Sequence, residues 1–514
     1  MKTKKRCRRS AVILSCILAG CMLTPAAAFA EDEPSDYAYG DVNLSGDVDV
    51  SDAVLLARFA AEDKEATITE EGKKMADVNR DGNLTSEDTV QILEFIAKKR
   101  SVLGVAAQQT PAGKAVNLTE KLPAAAVNGK EADEAFLSGQ LRFTADLLRE
   151  TDLYTRAELK EGEAPKNLLI SPLSVSLALG MTANGAKGET QQQMEQVLSK
   201  TLGISDLNAY YYDYMANLPS TEGAKFHIAN SIWARNDESR LIVPEAFLQT
   251  TKSYYGADFF SAPFDDSTVS DINAWVNENT HGMIPQLIQE IRYEEIMYLI
   301  NALAFEAEWA MPYAEEQIHE GTFTLSDGTT VKNDFMYNEL HTYLCDDKAT
   351  GFIKQYEDGN YSFAAVLPNE DVSVFDYISD MTADSLKKLV DSASHETVNT
   401  SLPKFSFDYS TSLKPVLQSM GMKLPFEDGG ADFTGLNEYP TTFIADVLHK
   451  TYIAVDEKGT KAGAVTAVIM ADNAVPAEPK TVYLNRPFIF MILDNQNNLP
   501  VFIGYVLDPT QKPE

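Results

Sequence analysis

Near the C-terminus, the run Asp456-Glu457-Lys458-Gly459-Thr460-Lys461-Ala462-Gly463-Ala464-Val465-Thr466-Ala467 places a small or β-branched side chain at every second position, continuing to Val468. In an extended chain alternate side chains point to opposite faces, so Thr460, Ala462, Ala464 and Thr466 would share one face that can fit between existing strands. Lys461 and Gly463 would face the other way, where a long charged side chain stays in water. The pattern demands either a sheet that can admit this segment or a solvated loop followed by an edge strand. Composition alone leaves both readings open, because β-propensity depends strongly on context.

A chain of 514 residues is long enough for two or more domains and a large core. Lys2, Lys4, Lys5, Arg6, Arg8 and Arg9 precede the apolar run from Ala11 to Leu23, which is followed by Ala28-Phe29-Ala30. This is the layout of a secretory signal peptide over residues 1–30, with cleavage after Ala30 and an extracellular destination. Leu18-Ala19-Gly20-Cys21 also resembles a lipobox, which would instead leave Cys21 as a lipidated N-terminus. No later segment has the roughly 20 apolar residues of a membrane span. Removing the signal leaves 37 basic against 76 acidic side chains. Nucleic acid is thereby disfavoured as a partner, since phosphate binding needs clustered positive charge. Cleavage also leaves Cys345 as the single cysteine, so no internal disulfide can form and the core must carry stability.

Two acidic loops repeat at a period of 36 residues, one starting at Asp41 and one at Asp77. Oxygen-bearing side chains stand at positions one, three, five, nine and twelve: Asp41, Asn43, Ser45, Asp49 and Asp52, then Asp77, Asn79, Asp81, Thr85 and Asp88. Glycine stands at position six, and position seven, Asp47 or Asn83, would contribute its backbone carbonyl. This is an EF-hand-like layout, in which a hard cation gathers oxygens around a sharp turn, and it predicts two Ca2+ ions. Two acidic turns that merely cap helices would explain one loop but hardly two in register. The repeat continues into the following helices, where Val54 matches Val90, Leu56 matches Ile92 and Phe59 matches Phe95, and these positions are expected to share a buried face. Aspartate at position twelve, with no full entering helix, resembles a dockerin domain. That resemblance implies a small α domain over residues 39–100, with a cohesin module of a cellulosome scaffold as partner. Loop positions ten and eleven, Val50-Ser51 and Ser86-Glu87, differ between the repeats, which weakens the case for two equivalent docking orientations. Residues 101–130, rich in Ala, Gln, Pro, Gly and Thr, read as a flexible linker.

Further blocks accompany the alternating run. Val447-Leu448-His449-Lys450 leads into it, and Leu484-Asn485-Arg486-Pro487-Phe488-Ile489-Phe490-Met491-Ile492 follows it. Earlier come Asn167-Leu168-Leu169-Ile170-Ser171-Pro172-Leu173-Ser174, Asn230-Ser231-Ile232-Trp233, Trp275-Val276-Asn277-Glu278-Asn279-Thr280, Ile300-Asn301-Ala302-Leu303-Ala304-Phe305-Glu306-Ala307-Glu308-Trp309 and Leu402-Pro403-Lys404-Phe405. Together they resemble the serpin family over residues 131–514. The resemblance implies a multidomain chain whose larger part is an α+β fold of three β-sheets and helices, monomeric, with an exposed reactive-centre loop. It implies a protease inhibitor and not an enzyme: a serine or cysteine protease attacks the loop, forms an acyl-enzyme, and is trapped when the hinge inserts into the central sheet. Hinge positions would be Glu457, Gly459, Thr460, Ala462, Ala464 and Thr466, with Gly459 chosen for conformational freedom. Ser171, Ser174, Asn301 and His449 would form the shutter, and Trp309 with the ion pair Lys404–Glu457 the breach where insertion begins.

The family's spacing forward from Glu457 would put the reactive bond at Asn473–Ala474, whereas counting back from Asn485-Arg486-Pro487-Phe488 points nearer Pro476, so the resemblance implies a bond within the window Met470, Ala471, Asp472, Asn473, Ala474 and Val475. With no Lys or Arg there, subtilisin-like or elastase-like serine proteases are favoured over trypsin-like ones. Two rival readings stand beside this. One is a serpin that binds without inhibiting; the other is a cellulosomal carbohydrate-active enzyme, although no Gly-x-Ser-x-Gly or His-Glu-x-x-His motif occurs and His395-Glu396 lacks the second histidine.

Overall fold

The computed structural model describes residues 38–61, 63, 66–78, 84–96, 103, 115–221, 224–237, 239–292, 295–357, 359–439, 442–460 and 478–513. The chain divides into two compact units, Met1–Pro111 and Ala112–Glu514.

The first unit contains α1 (Val50–Ala60), α2 (Glu70–Ala76) and α3 (Ser86–Ile96). Asp49 caps α1 by accepting from the Ser51 N–H, while Asp52 reaches back to the Asp49 N–H at 2.9 Å, a reciprocal capping box. Val42, Ala53, Leu56, Ile68, Ala76, Val78 and Ile92 form the core. The repeat pair Leu56 and Ile92 is buried as expected, but Val54 and Val90 are 51% and 52% exposed. The expectation of a shared buried face is corrected here, because residues two apart in a helix lie on nearly opposite sides.

In the second unit the strands are β1 (Val116–Asn117), β2 (Leu168–Ile170), β3 (Ala224–Arg235), β4 (Asp258–Ala262), β5 (Met297–Glu308), β6 (Ile318–Thr324), β7 (Thr330–Cys345) and β8 (Ala349–Gln355). They continue with β9 (Tyr361–Pro368), β10 (Ser394–Pro403), β11 (Phe405–Ser412), β12 (Leu448–Val455), β13 (Gly459–Thr460), β14 (Lys480–Tyr483), β15 (Phe488–Asp494) and β16 (Leu499–Val506). One sheet has the order β1-β4-β3-β5-β13-β12-β11. The remaining strands form a continuous ladder, β14-β10-β7-β8-β9-β15-β16-β2 with β6 on β7. Long β7 joins two sheets: residues 330–343 pair with β6 and β10, and residues 343–345 pair with β8. Counted by what each part of β7 pairs, the unit has three sheets.

Strands β15 and β16 are buried along their whole length, as their unbroken apolar runs require of strands covered on both faces. The helix α4 (Glu134–Ala157) buries one stripe, including Phe136, Leu147 and Leu148. In α5 (Pro172–Ala183) every residue but Ala178 is buried, so this helix is apolar nearly all round and belongs to the core. Part of the stretch expected to be linker is packed on this unit. Val116 and Asn117 pair with β4, the Leu118 N–H donates to the Phe259 carbonyl at 2.7 Å, and the Ala125 N–H donates to Ser253 at 2.9 Å. Backbone groups make these contacts, so the side-chain pattern carried no sign of them.

Candidate functional site

The segment expected to be the hinge begins as a tight turn. The Asp456 carboxylate accepts from the N–H groups of Lys458 and Gly459 at 2.8 and 3.2 Å, and the Asp456 N–H donates to the Gly459 carbonyl at 3.0 Å. Gly459 and Thr460 then enter the first sheet, Gly459 opposite Glu308, and Thr460 opposite both Ala307 and Val455. Gly459 meets a different requirement from the one expected. Its φ is not positive; instead a Cβ there would lie 2.1 Å from the Ala307 carbonyl oxygen and 2.8 Å from the Glu308 Cα. Close approach of two backbones, not an unusual dihedral, demands glycine.

Thr460 is buried, and its hydroxyl is 2.7 Å from the Tyr356 hydroxyl. The Tyr356 ring lies flat against Trp309, with centroids 4.6 Å apart and planes 6° from parallel. Trp309 holds the turn twice: its backbone N–H donates to the Lys458 carbonyl at 2.8 Å, and its indole N–H donates to the Asp456 carbonyl at 2.9 Å. The Tyr313 N–H donates to the Glu457 carbonyl at 2.9 Å. Lys404 Nζ stands 2.7 Å from Glu457 Oε2, both side chains being about a third exposed. That hydrogen bond with Lys404 holds the Glu457 carboxyl below the usual glutamate range.

Farther down β12, His449 is fully enclosed. Its Nε2 accepts from the Ser171 N–H at 3.1 Å, which requires that nitrogen to be unprotonated, and burial pulls the imidazole down to about 4. Ser171 is the N-cap of α5: its Oγ accepts from the Ser174 N–H at 3.3 Å and donates to the Val501 carbonyl at 2.9 Å. The fixed geometry of a helix start thus ties α5 to β12 and to β16. Asn301 is placed on β5 opposite Asn230. Ala462, Ala464, Thr466 and the window Met470, Ala471, Asp472, Asn473, Ala474 and Val475 lie outside the described residues.

In the first unit, Asp41 and Asp52 are fully buried in the first loop. Asp41 accepts from the N–H groups of Ser45 and Gly46, both at 2.8 Å, and Asp52 accepts from those of Asn43 and Asp49 at 3.0 and 2.9 Å. Asn43 Oδ1 also accepts from Ser45 N–H, and Gly46 turns the loop at φ +97°. In the second loop the buried Asp88 likewise accepts from the position-nine N–H, that of Thr85, at 3.0 Å. Asn79, Asp81 and Asn83 lie outside the described residues. Buried carboxylates without a cationic partner are unfavourable in an apolar surround. The first loop therefore fits a hard cation shared among carboxylate, amide, hydroxyl and carbonyl oxygens, although among the described residues no three acidic, histidine or cysteine side chains converge.

Two residues that contact the turn escaped the sequence reading, Tyr356 and Tyr313.

The Serpin (serine protease inhibitor) family pattern matches residues 149–509, and the Dockerin type I domain matches residues 39–96. An uncharacterised serpin-like protein of Thermococcus kodakarensis is 29% identical over 351 residues, 67% of this chain and 81% of that protein. Iripin-2 of Ixodes ricinus is 29% identical over 66% of this chain and 87% of its own length. The crystal structure of a thermophilic serpin, Tengpin, in the native state is 44% identical, covers 77% of this chain and 100% of that one, and has a TM-score of 0.71. Its latent state gives 45% identity, 74% and 99% coverage, and a TM-score of 0.64. Type I dockerin domains are known to bind calcium and imply a cohesin partner in a cellulosome. From the sheet that holds Gly459 and Thr460 between β5 and β12 and from these matches together, this chain belongs to the serpin family and carries an N-terminal type I dockerin domain.

Proposed function

We propose that the protein is a secreted inhibitory serpin that traps serine endopeptidases covalently while its dockerin, holding two Ca2+ ions, tethers it to a cohesin-bearing scaffold. One observation carries the reading: Gly459 and Thr460 already sit between β5 and β12, so the segment that follows starts from inside the sheet it would enter. The protease nucleophile adds to the Asn473 carbonyl carbon, the bond to the Ala474 nitrogen breaks, and the new amine leaves with a proton. Insertion of Ala462, Ala464 and Thr466 behind Thr460 then carries the acyl-enzyme away from water. None of these positions holds an arginine or proline, either of which would stall a strand through a buried charge or a missing ladder bond.

Incubation with subtilisin and with elastase tests this. A complex that survives denaturing electrophoresis, with a released peptide starting at or next to Ala474 by mass spectrometry, supports the reading. Cleavage without any complex sinks inhibition and leaves a binding module. Equilibrium dialysis should return two calcium ions per chain, and Asp52→Ala should lower that to one.

A further inference from the structure

Strands β7 and β10 do not pair evenly. His395 lies opposite Thr342 and Val398 opposite Leu340, so Glu396 and Thr397 together face the single residue His341. The extra residue makes a β-bulge on β10, which breaks the regular alternation of faces and re-aims the side chains around it. Even pairing would put His341 and His395 on opposite sides of the sheet, because His395 would share a face with Thr342 and not with its neighbour in sequence. Across the bulge the two imidazoles meet instead, with ring centroids 5.9 Å apart and planes 44° from parallel.

Both side chains are exposed, and among the described residues neither ring has a hydrogen bond or an ion pair. His449, by contrast, has its Nε2 engaged by the Ser171 N–H. The adjacent carboxylate is occupied elsewhere: Glu396 accepts from the Ser394 hydroxyl at 3.0 Å and lies 3.5 Å from Lys480 Nζ. Cys345 stands four residues farther along β7, about 13 Å away at the rise of a strand, too far to reach the same ion.

Two neutral imidazoles with free nitrogens, side by side and open to water, are a chelate for a borderline metal ion. An imidazole nitrogen binds Zn2+ at about 2.0–2.1 Å and the ring centre lies about 1 Å beyond it, so two rings on one tetrahedral ion have centroids about 5 to 6 Å apart. The observed separation falls within that range. Calcium, which needs oxygen ligands, is a poor fit to the pair.

We propose that His341 and His395 form a second metal site, distinct from the acidic loops, that takes Zn2+ or another borderline divalent ion such as Cu2+. Among the described residues no third acidic, histidine or cysteine side chain converges on the pair, so water completes the coordination. The ion bridges β7 and β10 where the bulge interrupts their ladder. On its other side β10 carries β14 in parallel, with Val398 opposite Lys480, so the bridged stretch is the one that seats β14. The site needs no protease and stands whether or not the chain inhibits one.

Calorimetric titration of the untagged full-length chain with Zn2+, with calcium in large excess to occupy the acidic loops, tests the proposal. The tightest zinc site should hold one ion per chain. His341→Ala and His395→Ala should each weaken it about a hundredfold, because either change turns a two-point attachment into a one-point one. The double variant should bind little worse than either single one, and Cys345→Ser should bind like the unaltered chain. Cu2+ gives a second readout: electron spin echo modulation should report two coordinated imidazoles in the unaltered chain and one in either single variant. The copper signal of the unaltered chain decides the matter even where a variant folds poorly. Zinc affinity undiminished in both single variants, or copper held by carboxylate oxygens alone, would overturn the proposal and assign the binding to the acidic surface.

Discussion

The two places where β12 is held differ in kind. At the hinge, Trp309, Tyr313 and the ion pair Lys404–Glu457 grip backbone carbonyls and a partly exposed carboxylate. At the shutter, Ser171 and His449 are wholly buried and share neutral hydrogen bonds. Exposed ion pairs contribute little and loosen in salt, whereas a buried unpaired donor or acceptor is strongly unfavourable. Under the function proposed above, the first place is the one suited to let go, and the second the one that keeps its partners satisfied until others are available.

The largest test of that contrast is Thr460→Arg. Thr460 is buried beside Tyr356, and an arginine would bring an unpaired charge to the point of entry. Covalent complex yield should fall roughly a hundredfold or more, with cleavage retained, as gel densitometry against time would read. Gly459→Ala comes next, since its Cβ would overlap the Ala307 carbonyl oxygen. Urea unfolding should show a loss of about 2 kcal/mol, or exchange measurements should show residues 459–460 displaced from the sheet.

For the shutter, the imidazole at about 4 lies below its ordinary 6.5, so the unfolded chain binds that proton first as pH falls. Stability should therefore decline between 6.5 and about 4, by about 3 kcal/mol, and the penalty is complete below 4. His449→Gln, which keeps an acceptor and cannot titrate, should lose that part of the decline in denaturant titrations across the window. The smallest effect belongs to Lys404→Met. It should change hinge stability by less than about 1 kcal/mol, and the difference should shrink in high salt. Because Glu457 is held low, this contribution is present above the ordinary glutamate value and fades as pH falls below it. A Lys404→Met effect as large as that of His449 titration would erase the distinction between the two sites.

The calcium loops and the alternating run were legible in the sequence because their demands are local, whereas the three-sheet fold was accessible through the family resemblance. A calcium loop needs oxygens at fixed positions, and an inserting strand needs small side chains in alternation. The pairing of Lys404 with Glu457, far apart in the chain, was accessible through the family resemblance alone. What was hidden is tertiary. The docking of residues 115–130 uses backbone groups and the buried Thr119 hydroxyl, Val54 and Val90 matched in the repeat yet face outward, and the reason for Gly459 is a neighbouring strand. Lys354 reads in sequence as an ordinary strand lysine, and its burial near the rings of Trp309 and Tyr313 is tertiary as well.

The central claim is that β5 and β12 can accept the rest of the hinge. Limited proteolysis confined to Met470–Val475, followed by thermal unfolding of the nicked chain, tests it directly. Filling the sheet with a new central strand should raise Tm by roughly 10 °C or more over the intact protein. An unchanged or lower Tm after complete cleavage would mean that the segment does not insert, and the account would fail.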